Sequence, residues 1–72
     1  MLTNRGIGER IKSLRINKKM SQEEFGKVLG KSHAAISDIE RGKTKLSVSD
    51  LSSIASFYEV PISYFLESSE RD

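Results

Sequence analysis

The sequence predicts an all-α protein, a compact bundle of five short helices. In every periodic segment apolar residues recur at the three- and four-residue spacings of a helix, and serine or glycine stands where those segments begin or end. No stretch alternates apolar and polar residues for longer than a chance run, which argues against strands. A chain of 72 residues holds one small domain with a single core.

The first two helices are predicted from their apolar stripes and from a capping signal. The stripe of the first helix is Ile7, Ile11 and Leu14, and the helix ends near the NKK run at 17–19. The second helix begins at SQEE, where Ser21 and Glu24 have the spacing of a capping box. Its apolar residues are Phe25, Val28 and Leu29. Gly30 then ends it in a left-handed conformation.

A third helix follows a three-residue turn. Ser32 is its predicted N-cap, and Gly42 ends it. Ile36 and Ile39 are its only core positions, so the helix is anchored by a narrow stripe.

The fourth and fifth helices complete the bundle. Ser47 and Asp50 repeat the capping pattern at the start of the fourth helix. Its predicted buried side consists of Val48, Leu51, Ile54, Ala55 and Tyr58. Pro61 suits the entry to a short last helix, ISYFLE, and a polar tail covers 69–72.

Charge is unevenly distributed along the chain. The net charge is +2, but residues 1–45 hold eleven of the twelve Lys and Arg against five acids, a balance of +6. Residues 46–72 hold one Arg against five acids, a balance of −4. A basic front half favours a polyanionic partner. The alternative is a solvated surface that happens to be uneven.

Composition excludes several classes of function. The chain has no cysteine and one histidine, which leaves no set of metal ligands and excludes disulfides. Apolar runs are too short for a membrane span or a signal peptide, so a soluble intracellular protein is expected. Ser32, His33 and Asp38 are the residue types of a hydrolase triad, but neighbouring side chains on one exposed helix diverge and cannot form one. No enzyme, cofactor or small-molecule ligand is predicted.

Residues 21–41 have the spacing of a helix-turn-helix. Gly26 supplies the small residue where two steeply crossed helices approach, and Gly30 tolerates the positive φ of the turn. Small residues such as Ala34 let the start of the helix at 33–41 enter a DNA major groove.

With these motifs the chain resembles the Cro/C1-type helix-turn-helix regulators, the lambdoid phage repressors and the wider xenobiotic-response-element-like bacterial family. The match runs from IGERIKSLR through MSQEEFGKVLGKSHAAISDIERGKTK to VPISYFLE. The resemblance implies a lambda-repressor-like DNA-binding domain over 1–68. It implies a cytoplasmic regulator, encoded by a bacterium or phage, that binds a double-stranded DNA operator.

Phosphate contacts are predicted for seven residues, five of which carry over from the family residue by residue: Arg15, Gln22 and 43–45. The seven are Arg15, Gln22, Lys31, Arg41, Lys43, Thr44 and Lys45. Gln22 matches a glutamine that meets phosphate at the start of helix two, and 43–45 matches a phosphate-holding loop. Arg15 and Glu40 match a pair that forms a salt bridge while the arginine also faces phosphate. Lys31 departs from the small or apolar residue that is usual in the turn, so it is expected to reach phosphate.

Base contacts are expected from the exposed positions of the third helix. They are Ser32, His33, Ala34, Ser37 and Asp38. Ala34 suits a thymine methyl, Asp38 a cytosine amino group, and His33 a purine edge. The alternatives are a solvated His33, a Ser32 that serves as a cap first, and an Asp38 that points to solvent.

The family binds as two-fold dimers on imperfect palindromes, so a homodimer is expected. The predicted dimer interface is Phe57, Tyr58, Ile62 and Tyr64. The alternative is that Val60, Ile62 and Phe65 simply close the domain.

A protein-interaction module, such as an antitoxin or the partner of another regulator, is the competing function. The basic residues around helix three favour DNA, because an interaction module has no need of them. Within DNA binding, repression is the default mechanism. A Cro-like repressor, a controller protein of a restriction–modification system and the amino-terminal piece of a longer regulator all remain open, with Met1 and the polar tail weakly favouring a complete small protein.

Overall fold

The computed structural model describes residues 3–66, and within them it contains five helices and no strand. The helices are α1 (Asn4–Asn17), α2 (Gln22–Leu29), α3 (His33–Glu40), α4 (Val48–Tyr58) and α5 (Ser63–Leu66). The all-α prediction is confirmed. Glu67 at the predicted end of the last helix and the tail at 69–72 lie outside the described residues.

Hydroxyl caps begin the first four helices. The predicted capping box is present: the Glu24 N–H donates to Ser21 Oγ at 3.0 Å and the Ser21 N–H donates to Glu24 Oε1 at 2.8 Å. Ser32 and Ser47 accept from the N–H three residues on, as predicted, each at 3.1 Å. Thr3 does the same for α1. Each cap satisfies one amide that the helix itself leaves without a partner.

The turn between α2 and α3 depends on two glycines. Gly30 adopts φ +70°, and no other atom lies near the position of a Cβ there, so conformation alone requires glycine. A Cβ on Gly26 would lie 2.4 Å from the Lys31 carbonyl oxygen. The need for a small residue at Gly26 is therefore confirmed, because the backbone of the turn at Lys31 and the Ile36 side chain of α3 lie directly against it.

One apolar core joins all five helices. Its buried residues are Ile7, Ile11, Phe25, Ile36, Ile39, Leu51, Ile54, Ala55, Tyr58 and Phe65. Within it α3 packs against both α1 and α2. The helix that carries the predicted reading residues is thus held from two sides.

One predicted buried position is wrong, and one residue of a predicted apolar stripe is exposed. Val48 is 70% exposed, because the first turn of α4 extends past the core to the rim of a shallow apolar groove. Val28 is also exposed, because the close approach at Gly26 turns the buried face of α2 toward Phe25 and Gly26. The apolar pattern of the sequence does not predict which face of α2 is buried here, because Gly26 has no apolar side chain that would mark the buried face.

Tyr58 corrects the predicted dimer interface. Only 4% of it is exposed, its ring lies 5.5 Å from that of Phe25, and its hydroxyl lies 3.8 Å from Met20 Sδ. A side chain held inside one subunit has no area to offer a second. Within residues 3–66, no helix has the length and apolar character of a bilayer span.

Burial of Tyr58 has a consequence at high pH. Desolvation raises the pKa of its hydroxyl to about 12, partly opposed by the positive charge of Arg15 and reinforced by Glu40. An exposed tyrosine in the unfolded chain has a pKa of about 10. The unfolded chain therefore loses this proton first. The stability contributed by the protonated Tyr58 hydroxyl is fully present below a pH of about 10, and it is lost as the pH rises through about 12.

We expect Tyr58→Phe to flatten the alkaline decline in the free energy of unfolding between those two pH values, as measured by urea unfolding at a series of pH values. Tyr64→Phe, at a half-buried tyrosine, is the control and should decline as the wild type does. Parallel curves for the wild type and Tyr58→Phe would contradict this assignment.

Candidate nucleic-acid interface

The outer face of α3 brings the predicted base contacts together. Ile36 and Ile39 are buried on the inner face, as the narrow stripe predicts. The five candidate residues form one continuous strip opposite, with Ser32, His33 and Ala34 exposed and Ser37 and Asp38 half-buried. Ser32 Oγ accepts a hydrogen bond from the Ala35 N–H as the N-cap. The hydrogen of the Ser32 hydroxyl is still free to be donated to another group. The strip is a polar surface of small side chains on a rigid helix.

Asp38 does not stand alone on this strip. Its Oδ1 accepts from Nη2 of Arg41 at 3.0 Å, an i, i+3 pair on the surface of the helix. The guanidinium offsets a carboxylate charge that would otherwise repel nearby phosphate. Arg41 and Asp38 are therefore placed to act as one unit.

A buried ion pair locks α3 to α1. Arg15 Nε donates to Glu40 Oε2 at 2.6 Å, and Arg15 Nη2 donates to Glu40 Oε1 at 3.1 Å. Arg15 is 9% exposed and Glu40 is 5% exposed. The hydrogen bond to Glu40 raises the pKa of the Arg15 guanidinium above its ordinary value, against the opposing effect of burial. The salt bridge predicted for this pair is confirmed.

The same pair gathers two further groups. Arg15 Nη1 donates to the Met20 carbonyl at 2.7 Å, and the side-chain amide of Gln22 donates to Glu40 Oε1 at 3.0 Å. Three N–H groups of Arg15 are thus occupied inside the protein, so its structural role dominates over the predicted phosphate contact. Gln22 is half-buried, and its backbone N–H stands at the first turn of α2, where helices leave amides for an anion.

The loop after α3 places three predicted phosphate contacts in the open. Gly42 turns the chain with φ +79°, and the Lys43 N–H donates to the Asp38 carbonyl at 2.9 Å. Lys43, Thr44 and Lys45 are all exposed. This short, tied loop holds its side chains beside the carboxyl end of α3.

Lys31 has an acidic neighbour that the sequence did not indicate. Its Nζ is 3.9 Å from Asp50 Oδ2, so the lysine leans toward the start of α4. The backbone N–H of Asp50 donates to the Ser47 cap, while its carboxylate lies near the Lys31 ammonium group. The turn lysine thereby joins two elements, and only part of its charge remains for an anion.

Gly8 is a positioning residue that sequence analysis missed. A Cβ there would lie 2.3 Å from the Ile39 carbonyl oxygen and 2.7 Å from that of Glu40. The last turn of α3 therefore rests directly on the backbone of α1. A glycine inside a helix costs about 1 kcal/mol relative to alanine, and that cost was the available signal.

No metal centre emerges at this surface. Across residues 3–66, no group of three or more His, Cys, Asp or Glu side chains is arranged to hold an ion. The charged groups of the surface are mainly amines and guanidinium groups, whose chemistry is the recognition of anions.

The chain is similar to known regulators in sequence and in fold. A family model described as helix-turn-helix matches residues 11–65. An uncharacterised HTH-type transcriptional regulator of Sinorhizobium medicae is 35% identical over 66 residues, which cover 92% of this chain and 48% of that protein. The chain spans about half the length of this relative and of an HTH-type regulator of Rhizobium meliloti that it matches equally.

Solved structures extend the comparison. The P22 c2 repressor in complex with a synthetic operator superposes with a TM-score of 0.74 at 32% identity, over 82% of this chain and 89% of the repressor. The restriction–modification controller protein C.AhdI of Aeromonas hydrophila gives a TM-score of 0.75 at 22% identity, over 86% of this chain and 90% of that one. The second likeness supports the fold alone. With the family match spanning most of its length, the chain belongs to the Cro/C1-type helix-turn-helix family, HTH_3, whose DNA-binding fold is that of transcriptional regulators.

Proposed function

We propose that this chain is a sequence-specific DNA-binding regulator that holds α3 in the major groove of a palindromic operator as a homodimer. The observation that carries the proposal is the exposed polar strip on α3, on a helix locked from behind by two isoleucines and the Arg15–Glu40 pair. Direct readout needs side chains held at fixed positions, because base-edge hydrogen bonds tolerate little movement. A rigid helix with a narrow anchor satisfies that need.

The strip contacts the base edges, and the residues around it contact phosphates that position the protein on the duplex. His33 and Ser37 stand one turn apart and offer hydrogen-bonding groups, while Ala34 offers a methyl group to thymine. The loop at 43–45 and the first turn of α2 flank the strip and bind phosphates on either side of it. Repression follows because a protein seated on an operator excludes polymerase.

The proposed dimer contact uses the exposed aromatic residues near α5. Phe57 is 44% exposed and meets the buried Tyr58 edge to face at 5.0 Å. Tyr64 is half-buried and Ile62 packs partly against the core. Phe57 and Tyr64 therefore offer the area for a second subunit, with Ile62 at the margin. Two copies would place their α3 helices in successive major grooves about 34 Å apart.

The deciding experiment is selection of binding sites from a random duplex pool, followed by a salt titration of the best site by fluorescence anisotropy. We expect an enriched palindrome with half-sites one helical turn apart, bound more weakly as salt rises. Without enrichment, and with weak or no binding, the competing interaction module would be favoured.

Reading by α3 has its own test. We expect His33→Ala with Ser37→Ala to lose about 1–3 kcal/mol per good base contact and to relax operator preference. Repeating the selection with this variant measures the preference directly. Glu23→Ala, at an exposed α2 residue outside the strip, is the control. An unchanged operator preference in the double variant would mean that the reading face lies elsewhere.

Phosphate binding by the loop has a different signature. We expect Lys43→Ala to weaken binding to all sequences alike and to reduce the slope of log Kobs against log salt concentration by about 0.9. Lys27→Ala, at an exposed lysine on α2, should leave the slope unchanged. A loss confined to the operator would instead place Lys43 at a base edge.

A further inference from the structure

A charged cleft lies beside the proposed interface, on its α1 side. It has a volume of about 410 Å³ and is lined by Arg5, Glu9, Lys12, Glu40, Arg41 and Lys43. Two of these residues, Arg41 and Lys43, belong to the predicted phosphate contacts. The other four come from α1 and from the inner end of α3. None of the α1 residues of the cleft was assigned a function from the sequence.

The cleft exists because α1 and the loop after α3 touch through their backbones. A Cβ on Gly42 would lie 2.6 Å from the Arg5 Cα, so the glycine admits the first turn of α1. Gly8 seats the next turn of α1 on the carbonyls of Ile39 and Glu40. These two contacts hold α1, which carries Arg5 and Lys12, against the end of α3 and the loop that carries Lys43. The lining is therefore built on rigid backbone.

The charges of the cleft favour an anion. Four cations line it against two carboxylates, and both carboxylates have partners: Glu9 lies 3.5 Å from Arg5, and Glu40 is held by Arg15. Arg41 is engaged in turn by Asp38. Within residues 3–66, neither Lys12 nor Lys43 takes part in a salt bridge. These two lysines of the cleft lining are therefore available to bind an anion.

We propose that this cleft binds a DNA backbone phosphate, with Lys12 of α1 and Lys43 of the loop as its two cationic walls. The inference rests on the proposed DNA binding and extends it to a residue of α1. The cleft is continuous with Arg41 at the end of the reading strip, so a duplex bound to that strip carries its backbone past the cleft. Lysine binds phosphate as a point charge, which suits two walls that need no fixed hydrogen-bond angle.

The test compares salt titrations of the selected operator for the wild type and three variants, Lys12→Ala, Lys43→Ala and Lys27→Ala, each with its unfolding midpoint measured first. We expect Lys12→Ala to lower the salt slope by up to about 0.9, the value for one fully lost phosphate contact, because Lys43 stays beside the same phosphate. The ratio of wild-type to variant affinity should then shrink by up to about 3.5-fold between about 50 and about 200 mM salt. Operator preference should stay unchanged.

Ethylation interference identifies the phosphate. We expect one phosphate whose ethylation weakens the wild type more than it weakens Lys12→Ala, because Lys43 still contacts that phosphate in the variant. A wild-type slope for Lys12→Ala, beside a reduced slope for Lys43→Ala, would overturn the cleft assignment and leave the proposed function standing. The absence of any operator would overturn the proposed function itself. Saturable amide shifts around the cleft with inorganic phosphate at constant ionic strength, together with a wild-type salt slope for Lys12→Ala, would identify a small-anion site and overturn the assignment to DNA phosphate.

Discussion

Arg15→Met is expected to lower the free energy of unfolding by about 3–5 kcal/mol, because it leaves the Glu40 carboxylate buried without its cation. A loss of this size approaches the whole stability of a domain this small. Urea unfolding followed by circular dichroism measures it. The Gln22 amide remains on Glu40 but cannot neutralise the charge.

The control is the double variant Arg15→Met with Glu40→Met. Replacing both charges by apolar side chains of similar volume is expected to restore most of the lost stability, because no charge is then left buried. If the double variant were as unstable as Arg15→Met, the loss would come from packing around the arginine stem, and the buried charge would not be its cause.

Gly8→Ala is expected to destabilise the fold by about 1–3 kcal/mol or more, although alanine is the better helix former. The added methyl would lie 2.3 Å from the Ile39 carbonyl oxygen, so α1 and the last turn of α3 must separate. Separation also stretches the Arg15–Glu40 pair, which spans the same two helices. The midpoint temperature of thermal unfolding and the operator affinity should both fall, because the last turn of α3 shifts.

Ser13→Ala is the matched control, an exposed position in the same helix. It is expected to gain a few tenths of a kcal/mol from helix propensity alone. If Gly8→Ala stabilised the protein as Ser13→Ala does, the close approach between α1 and α3 would be wrong.

Local signals in the sequence were sufficient for the helices and their caps. Ser21, Ser32 and Ser47 cap where predicted, and Gly30 adopts the left-handed conformation expected of it. Caps and turns involve residues within a few positions of one another, so they can be predicted from a short segment of the sequence. The continuous strip on α3 follows from the same local periodicity.

Burial was less predictable where it depends on neighbouring elements. Val28 and Val48 fit helical stripes but are exposed, because a stripe does not reveal where its neighbour ends. Tyr58 was placed both on the buried side of α4 and at the dimer interface, and the structure decides for the core. The assignment of phosphate and base contacts stays a prediction.

The sequence by itself determined the five-helix class, the helix-turn-helix spacing and which face of α3 is turned away from the core. Only the tertiary structure decided that Met20 and Gln22 join the Arg15–Glu40 pair, that Lys31 lies near Asp50, and that Lys12 and Lys43 line one cleft. The physical reason is distance along the chain. Backbone contacts at Gly8 and Gly42 bring together residues more than thirty positions apart, and no local pattern encodes such an approach.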